Sequence, residues 1–534
     1  MKKITLLLVC AVLCATNMMG QTIKVGSQAE GGSWTGPDGL YYATQAVKAL
    51  QDANSTEVWR DSIYVSGTLT RPGNFVFNTW GKDRRFIIVG EGMENTTIQS
   101  YTDAELAAYE ADPGNNPLPA WKPNNSKALA FYIAPNTVAD IDNKFKVEVQ
   151  FHDLTINNIW LPNQANGRSA IRVGQYAAAE FHNVKIANCK NPGNDGSAIE
   201  AQHSTSLVLE NCILENNEGK TGTAIFFWTN KESRNSSVTI SNTVIRDNES
   251  LGKAGGVAFW CEKASSNMAI QINNSTFYNN SNVTGTSALA INGAGIDISL
   301  YNNTIAYNKG GHSGLAFMSA VPNKVTMINT LIYGSTGNEG QSVNDFGISW
   351  IPDTEDPIFT PGDGTTNFTL FTSIIGNTDI DFTLLPTHAT SYFNDWLNGW
   401  TMGLTETISG NNEVIPAAGS VAIDNGTPFP PYTDGYFGTN PDIGSYENNN
   451  PSLSNDSYDK NELAIALYPN PVQNTLNIGF KEELEWQIVS IIGKSILSGT
   501  GNHINVEALQ SGIYVIKMSE ANATTYTSKK FVKQ

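Results

Sequence analysis

The sequence has no long hydrophobic run beyond its first residues, and its acidic side chains clearly outnumber its basic ones. No later segment approaches the roughly 18 uninterrupted apolar residues of a membrane-spanning helix, so we expect no transmembrane span. Asp and Glu number 50 against 32 Lys and Arg, a formal net charge of -18. Because such a chain repels a phosphate backbone, nucleic acid is excluded as a partner.

Cysteine is scarce. Beyond the N-terminal segment only Cys189, Cys212 and Cys261 are present, an odd number without paired short spacing. This pattern fits neither a zinc site nor a disulfide framework, and at most one bridge could form. We expect small, buried apolar thiols and no metal bound through cysteine.

The N-terminus has the three-part layout of a secretory signal. Lys2 and Lys3 precede an apolar run from Ile4 to Cys14, and small and polar residues follow up to Gly20. The run is shorter than the roughly 20 residues of a membrane anchor. We therefore expect residues 1–20 to be a signal peptide and the rest of the chain to be exported.

A repeat of about 30 residues dominates the middle of the chain. Short β-prone segments are separated by Gly and Asn turns, which predicts an all-β, right-handed parallel β-helix over residues 21–447. Each repeat carries an Asn or Asp between two apolar positions. The polar column is Asp153, Asn183, Asn211, Asn242, Asn274, Asn302 and Asn329. Its apolar flanks are Phe151, Phe181, Leu209, Ile240, Ile272, Leu300 and Met327 before it, and Ile156, Ile186, Leu214, Ile245, Phe277, Ile305 and Ile332 after it.

The Asn column has a structural interpretation. Asn tolerates the left-handed backbone of a tight bend, and stacked side-chain amides can bond from one coil to the next. We assign it no chemistry.

A second strand recurs in each repeat, and alternation places its side chains on two faces. One face is uniformly apolar and is the predicted core: Ile171, Ile199, Ile225, Ala258, Leu289 and Ala316. The other is predicted to point outward: Arg172, Glu200, Phe226, Phe259, Ala290 and Phe317, with Trp228 two residues beyond Phe226.

Upstream, the segment GLYYATQAVKALQDA predicts an amphipathic helix that caps the open end of the coil. Phe86 to Ile98 is interpreted as the first coil, and residues 103–145 as an insertion or loop. Residues 335–447 are expected to form irregular final coils. The polar, turn-forming run that follows predicts a linker over residues 448–463.

The last 70 or so residues contain LYPNPVQNTLNI, GKSILSG, SGIYVIKM and KKFVKQ in that order. Alternating segments such as Thr475–Ile478 and Ile513–Met518 predict the strands of a small C-terminal β-sandwich over residues 464–534. This region resembles the type A sorting domain of the type IX secretion system of Bacteroidota. The resemblance implies transport from the periplasm across the outer membrane by the type IX machinery, removal of the domain, and release or attachment at the cell surface. The matching residues are Tyr468, Pro469, Asn470, Pro471, Gly493, Gly512, Tyr514, Lys529, Lys530 and Lys533.

Residues 416–447, PAAGSVAIDNG through TNPDIGSYE, resemble the end of the choice-of-anchor Q β-helix family. The repeats as a whole are similar to the pectin-lyase-like superfamily, which contains lyases, inverting hydrolases and adhesins. The choice-of-anchor Q resemblance implies a β-helix and anchoring at the cell surface, and the pectin-lyase-like resemblance implies the β-helix fold alone. Neither implies one reaction.

Catalysis would require specific groups. A lyase needs a basic residue and charge neutralisation at a uronate, and Arg172, Glu200 and His203 are the catalytic candidates. An inverting hydrolase needs clustered aspartates, which the aligned strands lack. The acidic segments Ala139–Asp142 and Pro352–Asp356 could hold calcium through oxygen ligands, but neither has the EF-hand spacing, and solvation of a loop is the favoured interpretation.

Binding is the other alternative. Flat aromatic rings stack on sugars, so Phe226, Trp228, Phe259 and Phe317 are the predicted carbohydrate-binding residues. The competing interpretation is that a loop covers them. We expect a monomeric, secreted or surface-displayed protein that binds extracellular polysaccharide. The alternative is a polysaccharide lyase or, less favoured, a glycoside hydrolase.

Overall fold

The computed structural model describes two compact units, Met1–Asn448 and Asn449–Gln534. The described residues are 23–26, 39–53, 62–71, 75–120, 128–135, 137–160, 169–193, 195–252, 254–261, 263, 265–293, 295–311, 313–318, 322–337, 343–348, 367–376, 378, 391–393, 404–407, 413–416, 420–433, 436, 438–447, 466–468, 472–479, 484–490, 495–510, 512–519 and 527–533. The signal peptide, the linker, Pro469–Pro471, Gly493 and Pro352–Asp356 of the sequence analysis lie outside them.

The first unit is a parallel β-solenoid, as predicted. Every coil pairs in parallel with the coil about one repeat later, so that Phe181 lies opposite Leu209 and Leu209 opposite Ile240. Each regular coil runs along a first face, bends, runs along a second face, forms a two-residue strand and returns along a third face.

The strands of the three faces have the following bounds. The first face contains Ile23–Gly26, Ser62–Ser66, Arg84–Val89, the first halves of Val147–Asn157 and Ala177–Ala187, Ser206–Glu210, Asn235–Ser241, Asn267–Asn273, Ile296–Tyr301, Lys324–Ile328 and Asn367–Phe371. The second contains Thr68–Thr70, Thr97–Gln99, the second halves of the same two long strands, Ile213–Glu215, Val244–Arg246, Thr276–Tyr278, Thr304–Ala306, Leu331–Tyr333, Ile374–Ile375 and Tyr392–Phe393. The third contains Phe75–Phe77, Phe131–Ile133, Ile171–Val173, Ile199–Gln202, Ile225–Thr229, Val257–Cys261, Leu289–Asn292, Ser313–Phe317 and Asn344–Ile348.

Short strands complete the unit. The two-residue strands are Lys190–Asn191, Glu218–Gly219, Glu249–Ser250, Ser281–Asn282, Lys309–Gly310 and Thr336–Gly337. An antiparallel hairpin pairs Leu404–Thr407 with Glu413–Pro416.

The Asn column forms the bend between the first and second faces, which confirms its structural interpretation. All seven residues have φ between 48° and 56°, the left-handed region that Asn and Asp tolerate best among residues with a Cβ. The apolar flanks are also confirmed, because each is at most 1% exposed in the core. Two amide contacts along the column are Asn183 to Asp153 at 2.5 Å and Asn302 to Asn274 at 3.1 Å.

A second Asn column, which the sequence analysis did not identify, lies inside the solenoid. Asn217, Asn248, Asn280 and Asn308 are at most 1% exposed, and their amides bond in series at 2.9, 2.9 and 3.0 Å. Each also donates to a backbone carbonyl oxygen of a strand in the preceding coil. The amides therefore satisfy the polar backbone at a buried bend.

The predicted helix is present as Gly39–Ala53, with Ala43 and Val47 fully buried. Arg84, which is 1% exposed, attaches it to the solenoid. The guanidinium donates to the Thr79 and Lys48 carbonyl oxygens at 3.0 and 3.4 Å and to the Asp52 carboxylate at 2.5 Å.

Two predictions about the early coils are wrong. Phe86–Ile98 is not the first coil, because Ser62–Ser66 and Ile23–Gly26 pair before it. Residues 103–145 are not wholly an insertion, because Phe131–Ile133 is a strand of the third face. The segment also holds two helices, Asp103–Ala111 and Val138–Asp142. The strand was missed because polar helical sequence surrounds it.

The second unit is a small β-domain, as predicted. One antiparallel sheet contains Ala466–Tyr468, Thr475–Gly479 and His503–Asn505. The other contains Ser495–Thr500, Glu485–Ser490, Gly512–Ser519 and Thr527–Lys533. Buried side chains from both sheets, among them Leu476, Ile504, Ile516 and Phe531, form one core.

Cys189, Cys212 and Cys261 are buried free thiols, as expected. Burial raises the pKa of Cys189 and of Cys212 to about 12, so both stay protonated and unreactive at neutral pH.

Candidate functional site

The predicted site lies on the outward side of the third face. Some of the residues that point outward differ from those predicted, because the strands pair in a different register. The central column of this side runs Arg172, Glu200, Phe226, Ala258, Ala290 and Ala316. Phe259 and Phe317, predicted to point outward, lie in the inward column with Phe227 and are 0% and 1% exposed. Their predicted outward placement is wrong, as is the placement of Ala258 and Ala316 in the core.

The error has a physical cause. The strand Val257–Cys261 is apolar at every position, so alternation of polarity cannot show which side chains face the core. The repeat length does show it. Trp260 follows Trp228 by the same interval as Asn274 follows Asn242, and this interval pairs Phe226 with Ala258. Trp260 is therefore the outward aromatic residue that the sequence analysis missed.

Four described aromatic side chains lie on this outward surface: Tyr132, which is the register partner of Arg172, and Phe226, Trp228 and Trp260. Trp228 and Trp260 are register partners on adjacent coils, and both are half-buried. Phe226 is only 5% exposed and packs edge-on against Trp260, with ring centroids 5.2 Å apart and planes at 82°. Ala254, Ala258, Ala290 and Met318 complete a small apolar cluster beneath the two tryptophans.

Arg172 and Glu200 lie in the same column, between Tyr132 on the preceding coil and Phe226 on the following coil. The Arg172 Nη2 atom is 3.3 Å from Glu200 Oε1, and Ser169 and Gln202 also donate to this carboxylate at 3.2 and 3.0 Å. Burial raises the pKa of Glu200 above its usual value, although Arg172 and the hydrogen bonds oppose the shift. The Glu200 side chain is 7% exposed and that of Arg172 22% exposed, so the cation is the more accessible partner.

His203 follows the same strand but sits deeper. It is 6% exposed, its Nδ1 lies 2.9 Å from Thr229 Oγ1, and its ring meets Trp228 edge-on at 5.0 Å. Burial, assisted by the charges of Lys231, Arg234 and Arg172, lowers the pKa of His203 to about 4. The imidazole is therefore neutral at pH 7 and supports the position of Trp228.

This pKa predicts a pH dependence of stability. Because the folded-state pKa lies below the ordinary value of 6.5, the unfolded chain binds the proton more readily between the two values. Stability is full above pH 6.5 and falls as the pH drops towards 4, by about 3 kcal/mol in total. Unfolding in guanidinium chloride across this range should show that the parent loses about 3 kcal/mol more stability than His203→Gln, because the lowered pKa of His152 and the raised pKa of Glu200 act in both proteins. His503→Gln, at an exposed position in the second unit, is the control and should keep the parent slope.

The calcium expectation finds no support in the described residues. There, no group of three or more His, Cys, Asp or Glu side chains is arranged to hold a metal ion. Ala139–Asp142 lies in a helix, and Asp140 is buried and accepts a hydrogen bond from the Thr79 hydroxyl at 2.8 Å. The acidity of this segment therefore has a structural explanation.

Comparison with known families agrees with both units. Residues 124–305 match the family described as "Right handed beta helix region". Residues 466–534 match the family described as "Secretion system C-terminal sorting domain". The chain is a right-handed β-helix protein with a type IX sorting domain. No curated protein and no solved structure matches the chain.

The sorting domain indicates where the β-helix protein acts. The type IX machinery is its export partner and delivers it to the cell surface or beyond. Within the described residues, no helix is long and apolar enough to cross a membrane.

Proposed function

We propose that this exported β-helix protein binds extracellular polysaccharide on the outward surface of its third face. The observation that carries the proposal is the pair Trp228 and Trp260, in register on adjacent coils and partly exposed. Adjacent strands lie about 4.8 Å apart, so the two indoles offer a continuous apolar strip along the solenoid axis. Such a strip suits the flat faces of successive sugar rings.

The charge of the protein limits the class of polysaccharide that it can bind. The net charge of -18 disfavours a densely acidic polysaccharide, whereas Arg172, two coils before Trp228 on the same face, can bind an occasional carboxylate or hydroxyl group. A neutral or sparsely acidic polysaccharide is therefore the favoured ligand. Phe226 is nearly buried, so its role is to hold Trp260 in place.

The alternative function is cleavage, by a polysaccharide lyase or glycoside hydrolase. The raised pKa of Glu200 favours it, because a protonated carboxyl group can act as a general acid. The poor solvent accessibility of the candidate catalytic residues argues against cleavage. Glu200 already accepts hydrogen bonds from two side chains and pairs with Arg172, and both Glu200 and His203 are nearly buried. Binding is therefore placed ahead of catalysis.

The test is a panel of neutral and uronic-acid polysaccharides incubated with the full chain, with and without calcium. We expect retention on at least one glycan and no new reducing or unsaturated ends. Trp228→Ala should weaken binding by about tenfold or more, equivalent to about 1.4 kcal/mol. The matched control is Trp160→Ala, which truncates a half-buried tryptophan that contacts Tyr109 and Lys190 away from the third face.

Two outcomes would overturn this proposal. New chain ends that disappear in Arg172→Ala or Glu200→Gln would establish an enzyme. Equal losses of binding in Trp228→Ala and Trp160→Ala would remove the third face as the binding surface.

A further inference from the structure

A cavity lies at the bend between the first and second faces, in a part of the molecule unrelated to the tryptophan pair. Its volume is about 340 Å³, at the lower end of the range of about 300–1,000 Å³ for small-molecule sites. One wall is the outer Asn column, represented by Asn242, Asn274 and Asn302. The opposite wall is formed by residues that follow the repeats in sequence, among them Tyr432, Tyr436 and Glu447.

Hydrogen bonds hold Thr427, Tyr432 and Ser445 against the bend. Asn329 donates to the Thr427 carbonyl oxygen and accepts from the Thr427 N–H, both at 2.8 Å. Asn302 donates to the Tyr432 carbonyl oxygen at 2.6 Å, and the Ser445 N–H donates to Thr304 Oγ1 at 2.9 Å. The wall that contains Tyr432 is therefore attached to the solenoid by hydrogen bonds, and the cavity between the two walls is already formed without a ligand.

Three residues of the Asn column line the cavity, and one of them has an unpaired buried atom. Asn302 donates to Asn274 Oδ1 at 3.1 Å. Asn302, only 6% exposed, also has a buried Oδ1 atom without a hydrogen-bond partner among the described residues. Since buried polar atoms are normally satisfied, this oxygen marks a place where a polar ligand can complete the hydrogen bonding.

Aromatic rings and hydroxyl groups line the rest of the cavity. Tyr432 is fixed by stacking on Tyr301 and Phe429, with ring centroids 4.7 and 5.7 Å away. Tyr436 is 36% exposed at the mouth. Among the described lining residues none is lysine, arginine or histidine, and Glu447 supplies a carboxylate. This wall disfavours anions and suits an uncharged ligand with many hydroxyl groups.

We infer that this cavity is a second carbohydrate site, which takes one or two units of a neutral sugar between the Asn column and Tyr436. The site is separate from the third face and does not depend on it. Two sites on different faces would let one molecule contact two glycan segments at once, which raises avidity.

The test is saturation-transfer NMR of the full chain with cellobiose, maltose and N,N′-diacetylchitobiose, and with galacturonate as the anionic probe. We expect transfer to at least one neutral disaccharide and none to galacturonate. In the Trp228→Ala background, which weakens the third-face site, Tyr436→Ala should abolish the signal. Asn242→Gly, which keeps the left-handed backbone at φ 48° but removes the amide, should weaken binding by about tenfold or more.

The controls separate this site from the third face and from a folding defect. Asn211→Gly makes the same change in the same column outside the cavity, at φ 53°, and should bind like the parent. Trp228→Ala alone should still show transfer, because the cavity is intact. Absence of transfer to every neutral sugar in Trp228→Ala, survival of the signal in Trp228→Ala/Tyr436→Ala, or equal losses in Asn211→Gly and Asn242→Gly would each overturn the inference.

Discussion

Deletion of residues 449–534 is expected to abolish appearance of the protein outside the cell while leaving the β-helix folded. The deleted residues form a compact unit with its own core, so their loss removes no core residue of the solenoid. They also contain the matched sorting domain, residues 466–534. Fractionation and immunoblotting of the native host should find the truncated chain inside the cell envelope at the parent level.

Two controls complete this experiment. Fusing residues 449–534 to a periplasmic reporter should send the reporter outside the cell, because the signal for sorting is carried by the domain. Trp228→Ala in the full chain should be exported like the parent. Export of the truncated chain at the parent level would contradict the assignment of sorting to this domain.

Asn248→Leu is expected to destabilise the solenoid by about 3–5 kcal/mol. The Asn248 amide donates to the Leu214 carbonyl oxygen at 3.0 Å and to Asn280 Oδ1 at 2.9 Å. Its Oδ1 accepts from the backbone and side-chain N–H groups of Asn217 at 3.1 and 2.9 Å. Leucine has a similar size but leaves these buried groups unpaired, and unpaired buried groups carry the full cost of desolvation. Guanidinium unfolding monitored by circular dichroism measures the change.

The matched control is Asn279→Gly. Asn279 is exposed, has φ 49°, and donates to Asp247 at the surface. Glycine keeps that backbone conformation, so the expected change is within about 1 kcal/mol. If both variants lose the same stability, the inner Asn column does not stabilise the fold in the way described.

The path of the solenoid could be predicted from the sequence because two local rules coincide in every repeat. The first rule is that Asn favours a left-handed bend, and the second is that the apolar residues on either side of it are buried. In one repeat, Asn211 has the left-handed backbone, and Leu209 and Leu214 are buried. The inner column was less visible. Asn248 and Asn280 resemble any turn asparagine in sequence, and only the neighbouring coils show that their amides are enclosed.

The candidate site was less predictable for a different reason. Polarity alternation locates the outward side only where one side is polar, as at Arg172 and Glu200. At Val257–Cys261 both sides are apolar, and the repeat interval is the better guide. Asn242 and Tyr436 line the same cavity although they are far apart in sequence, and no local pattern predicts that placement.

The most direct test of the account is the affinity of the full chain and of the double variant Trp228→Ala/Trp260→Ala for the polysaccharide retained in the panel, measured by isothermal titration calorimetry. The double variant is expected to lose some stability but to remain folded, with a cooperative unfolding transition, and to lose at least about a hundredfold in affinity, equivalent to about 2.8 kcal/mol. Parent-like affinity in a folded double variant would contradict polysaccharide binding on the third face.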